Sequence, residues 1–138
     1  MLPLDQLQKA LYDALSGRVL VGAEYLAVYD FVPENEAFPY LSLTPMRLEL
    51  AEVDKSDGRL LHVDVGVDVF SDAEGAAELH GILSGIDDTL EHSELELTGR
   101  FDVLRSELQS IDISEVEFGE GRIVRVGELR RRYLVLQR

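Results

Sequence analysis

The chain has 138 residues, enough for one ordinary domain with a self-sufficient core, and its 46% hydrophobic content excludes a disordered chain. It has no cysteine, which excludes disulfides, zinc–thiolate centres and thiol nucleophiles. The formal charge of −14 is uneven: residues 1–121 carry 26 acidic and 7 basic side chains, whereas residues 122–138 carry six arginines and one glutamate. So acidic a chain repels nucleic acid at long range, which serves solubility or gives a surface that DNA passes without sticking. The basic last segment suits an acidic surface on a neighbouring subunit. No basic-then-apolar leader and no apolar run near the ~20 residues of a membrane span are present, so a cytoplasmic protein is expected.

Taken in chain order, Leu4, Leu7, Leu11, Ala14 and Leu15 share one face of a helix that Pro3 opens and Gly17 stops. A short strand over 18–22 follows. Residues 23–39 mix acidic and aromatic side chains and end between two prolines, which reads as a functional loop or as a partly packed connection. Tyr40–Val53 reads as a strand whose alternation changes phase at Pro45, marking a bulge or kink. Asp54–Gly58 is a turn; its glycine comes too early, and no glutamate is placed, for a calcium loop.

Leu61, Val63, Val65, Val67 and Val69 alternate with His62, Asp64, Gly66 and Asp68, giving a strand with one packed and one polar face. Ser71-Asp72-Ala73-Glu74 has the form of a capping box, and a helix is expected from there to about Leu90. On that helix Ala77, Gly81 and Gly85 make a stripe of small residues. Each glycine costs roughly 1 kcal/mol of helix stability, which a closely approaching backbone would offset, either the chain's own sheet or a neighbouring subunit. Leu95, Leu97, Phe101 and Val103 read as a strand, and Ile111, Ile113, Val116 and Phe118 as another short one with a phase shift. Gly119-Glu120-Gly121 is a turn into a last, arginine-bearing strand over 122–137. The order predicts an α+β domain spanning residues 1–138: one mainly antiparallel sheet with two principal helices packed on it.

No catalytic constellation emerges. His62, His80 and His92 form no ligand pair, and carboxylates are too frequent for any two to carry meaning. A nucleophile elbow and a phosphate loop are both missing. No enzyme, cofactor or metal site is therefore expected, and a structural or binding role is favoured.

The ordered pieces resemble the tail-terminator or tail-completion (tail-to-head joining) proteins of long-tailed phages. The resemblance rests on the first helix ending at Gly17-Arg18-Val19, the proline-bounded entry Phe38-Pro39-Tyr40-Leu41-Ser42-Leu43, and the junction Val67–Glu78 with its Phe70-Ser71 and alanine-bearing helix. It continues through Leu95–Phe101 and the arginine-bearing last strand. Phe70 stands where tryptophan is commoner in the family, and the 23–39 loop is longer and more acidic. The resemblance applies equally to phages, prophages and gene-transfer particles.

The resemblance implies a subunit of a ring, usually a hexamer, at the end of the tail next to the head. Its partners would be copies of itself, the tail-tube protein and a head–tail connector or neck protein, with DNA only passing through the lumen. Such a ring ends tube polymerisation and offers the joining surface. The expected interface residues are Arg125, Arg130, Arg131 and Arg132 against an acidic neighbour, together with Ala77, Gly81 and Gly85. The expected lumen-facing residues are Asp64 and Asp68. The alternatives are a neck, head-completion or minor tail subunit, or an acidic adaptor module binding a basic partner.

Overall fold

The computed structural model describes residues 1–54, 58–119 and 121–138, so most of the expected Asp54–Gly58 turn and Glu120 lie outside the described residues. Among the described residues, helices α1 (Leu4–Leu15) and α2 (Ala77–Glu91) pack on one face of a mainly antiparallel sheet. The fold is α+β. Sheet order runs β3 (Ala27–Tyr29), β4 (Tyr40–Leu43), β6 (Gly58–Ser71), β8 (Ile123–Gln137), β7 (Phe101–Glu117), and β5 (Arg47–Asp54) also pairs with β6. The β3–β4 pair is parallel, and β1 (Leu20–Val21) and β2 (Glu24–Tyr25) form a separate small hairpin.

Strand β6 is the spine because its alternation is unbroken. Leu61, Val63, Val65, Val67 and Val69 are all buried beneath the helices. Burying each such side chain is worth about 1.5–3 kcal/mol before entropy is charged. A slip of one residue would drive Asp64 and Asp68 into that layer, so the register is strongly fixed. Opposite them lie Leu7, Leu11 and Leu15 of α1 and Leu79, Ile82 and Ile86 of α2, all buried. Gly17 adopts φ +70°, the left-handed stop expected after α1.

Several sequence expectations need correction. The capping box does not form, and α2 starts at Ala77 instead of after Ser71. Gly75 takes φ +81°, which a helix cannot contain, and Ser71 stays buried as the last residue of β6. The Ser71 hydroxyl instead accepts the Ala73 N–H at 3.3 Å and donates to Glu78 at 2.8 Å, bracing the strand-to-helix turn. Leu95 and Leu97 are not in a strand. They pack, partly buried, against the core, and β7 begins only at Phe101.

Ile111–Glu117 is not a separate strand either but the far half of β7. The phase shift expected within it is not a bulge, since pairing with β8 runs unbroken from Ser110 to Glu117 and Val116 simply faces the other side; the register shifts of β7 lie earlier, at Val103/Arg105 and Leu108/Ser110. Bulges change phase without ending a strand. The irregularity at Pro45 is a true break, since β4 and β5 pair separately with β6 on either side of it. Part of the 23–39 stretch is β2 and β3, so it is in part a packed connection.

Candidate assembly surface

The four arginines expected at an interface lie on β8 and are all engaged within their own chain. Arg132 donates from Nε and Nη2 to the two carboxylate oxygens of Asp64, its cross-strand partner, at 2.7 and 3.1 Å. That hydrogen bond is the main reason the Asp64 carboxyl is held below its ordinary range. Arg130 donates to the Thr44 hydroxyl at 3.2 Å and sits 3.6 Å from Glu128. Gly66 makes room for it: a β-carbon there would collide with the Arg130 guanidinium and the Thr44 hydroxyl. Arg125 donates to the Ala73 carbonyl at 3.1 Å and pairs with Glu115 at 3.3 Å.

Arg131 is the clearest departure from expectation. It is 1% exposed and lies on the helix side of β8, so it is not a surface cation. Its guanidinium donates to Glu91 at 2.7 Å and to the Ser106 hydroxyl, with Asp87 3.5 Å away. Glu91 is held below its ordinary range chiefly by that hydrogen bond. Beside it, burial pushes the Tyr133 phenol up to about 12; the nearby Arg131 and Ser106 oppose the rise, yet the hydroxyl meets no well-formed partner among the described residues.

Asp64 and Asp68 do share the polar face of the sheet, but in opposite settings. Asp68 stands across from Glu128, which stands across from Asp112, so three carboxylates line up over three strands. Burial first, then Glu128, raises the Asp68 carboxyl above its ordinary range, and Arg130 partly offsets this. At one end of this face the 23–39 segment is pinned to the β7–β8 tip. Phe38 stacks on Tyr40 at 5.4 Å and meets Phe118 edge-on at 5.9 Å, with the Arg122 guanidinium 5.1 Å from its ring centre.

The small-residue stripe points outward. A β-carbon on Gly81 would meet nothing within 4 Å, and one on Gly85 would meet only Val19 at 3.4 Å. The chain's own sheet is therefore not what approaches there. The close helix–sheet contact lies at Gly127 of β8, where a β-carbon would press on Leu83 at 2.8 Å and Leu79 at 3.2 Å. Among the described residues no three histidine or acidic side chains converge in a way that could hold a metal, and no helix is long and apolar enough to cross a membrane.

Among the described residues, β7 stands at the end of the sheet, paired on one side only. Cross-strand partners share a face, so Leu108, Ile111 and Ile113, opposite Arg131, Leu129 and Gly127, lie on the helix side. Helix α2 covers β6 and β8 there and leaves these three exposed. Native sheets seldom leave an edge both long and apolar without a partner.

The family model described as tail completion protein gp17 matches residues 5–132. The chain belongs to this family. Among solved structures, the tail completion chain is similar to one chain of a structure titled as the virion of a native gene transfer agent particle. The two share 27% identity over 94% of each chain, with a TM-score of 0.75. Among curated proteins none matches significantly.

The apolar edge of this tail completion protein was not foreseen because Ile111, Ile113, Val116 and Phe118 read as a short separate strand with a phase shift. Their alternation with Asp112, Ser114 and Glu115 was visible, but the end of the helix layer was not.

Proposed function

We infer that this tail completion protein is a structural component of a phage-type particle, whose subunits close into a ring, hexameric as its family resemblance implies, on the end of the tail tube. The ring stops further addition of tail-tube protein and presents the surface that a connector or neck protein meets on the head side. It performs no catalysis, and DNA passes through without being bound. The observation that carries this reading is the exposed apolar edge of β7 in a member of the tail completion family: an edge of that kind is costly for a lone monomer and suited to a subunit. The similar chain from a gene transfer agent virion supports a place within a particle.

The polar sheet face supports a role in DNA passage. Asp64 is neutralised by Arg132 and Glu128 sits 3.6 Å from Arg130, which leaves Asp68 and Asp112, on either side of Glu128, as the acidic row for the lumen. Neutralising that row should slow DNA ejection without stopping assembly, and unchanged ejection kinetics would reject the lumen assignment. For the cap itself, the test is light scattering of the purified protein alone and with assembled tail tubes. A ring, or a monomer that becomes a stoichiometric cap on tube ends, supports the reading. A chain that ignores tubes but binds the portal side of the head marks a neck subunit instead.

A further inference from the structure

Ring closure needs two different patches that fit each other, placed so that one copy's first meets the next copy's second. The chain carries exposed apolar side chains at both ends of its sheet. At the β7 end stand Ile111, Ile113 and, on the adjoining part of β8, Ile123. At the β3 end stand Leu20 and Tyr25 on the β1–β2 hairpin, which leads directly into β3, and Phe31 just past it, 84% exposed.

Charge reinforces the match. Arg18, exposed beside the hairpin, has no ion-pair partner among the described residues, while Glu117, across from Ile123, lies on the same face as the β7 stripe. The β8 arginines are not available for this purpose, since each already has an acidic partner in its own chain.

We propose that the β7 stripe of one copy, centred on Ile111 and Ile113, is covered by the Leu20–Tyr25–Phe31 flank of a second copy, head to tail. This rests on the ring reading above and assigns its surfaces. Burial between copies removes both apolar patches from water and sets Arg18 beside Glu117 of β7. It also leaves the polar sheet face, with Asp68, uncovered.

Ile113→Asp and Tyr25→Asp test it, because both side chains are exposed and the substitutions should leave circular dichroism and melting temperature near those of the unaltered chain. Each variant alone should lose self-association at least tenfold and fail to enter particles. An equimolar mixture should recover dimers and nothing larger, because the intact stripe of Tyr25→Asp still meets the intact flank of Ile113→Asp. Variants that associate and enter particles as the unaltered chain does would overturn the proposal. So would a mixture that recovers no dimer, the mark of a patch meeting its own copy. Failure of the capping reading is scored separately, by unchanged tube length in particles lacking the protein.

Discussion

The guanidinium of Arg131 lies beneath the end of α2 and donates to the Glu91 carboxylate at 2.7 Å, tying the last strand to the last turn of the helix. Arg131 is buried while its carboxylate partners reach water, so the arginine acts as a structural pin. Replacing it with alanine opens a cavity and should cost about 2–4 kcal/mol in urea unfolding. Methionine refills the space and should cost clearly less. Equal losses for the two would show that charge, not packing, holds this position.

Asp64 and Asp68 share a face but should respond to acid in opposite ways. The folded-state pKa of Asp64 lies below the ordinary 3.8, so its contribution is complete above that value and is lost as pH falls through the lower folded one. Asp64→Asn should lower the melting temperature at neutral pH and flatten the acid limb of the stability curve. The Asp68 pKa is raised, so its ionised form opposes folding at neutral pH, and the opposition fades as pH falls through that raised pKa. Asp68→Asn should therefore raise the neutral melting temperature, and a drop there would refute the assignment.

Tyr133 governs the alkaline side. Its folded pKa of about 12 exceeds the ordinary 10.0, so its contribution is full below pH 10 and is lost as pH rises toward 12. Absorbance titration should show a tyrosine that releases its proton only near pH 12 or on unfolding. Tyr133→Phe removes a hydroxyl without a well-formed partner and should be close to neutral at pH 7, within about 1 kcal/mol. It should also flatten the alkaline decline.

Two glycines should behave oppositely on substitution by alanine. Gly81 faces open space on an exposed helix, so alanine there should stabilise the monomer by about 1 kcal/mol through helix propensity. Gly127→Ala presses on Leu83 and Leu79 and should destabilise by about 1–2 kcal/mol, as overpacking does. A Gly81→Ala chain that is more stable yet fails to assemble would place the small-residue stripe in a subunit contact, which the sequence left as one of two possibilities.

The sequence by itself determined α1, the spine strand β6, the apolar face of α2 and the α+β class. In those segments the local period and the tertiary demand agree: Leu7, Leu11 and Leu15 recur at helical spacing, and Leu61 to Val69 at strand spacing. The family, too, was legible from the order of the pieces. Only the tertiary structure decided what lies outside each element. Ser71 caps in form, but the left-handed Gly75 delays the helix. Two expected strands proved to be one long strand from Phe101 to Glu117, carried through bulges at Val103/Arg105 and Leu108/Ser110. Arg131 stands in the middle of three consecutive arginines that read as surface charge, but register sets it under α2 beside Glu91. Ile111 and Ile113 have the pattern of a buried face, and remain bare because the helix layer stops one strand short of them. Periodicity reports which side chains share a face; whether that face is covered depends on residues distant in sequence.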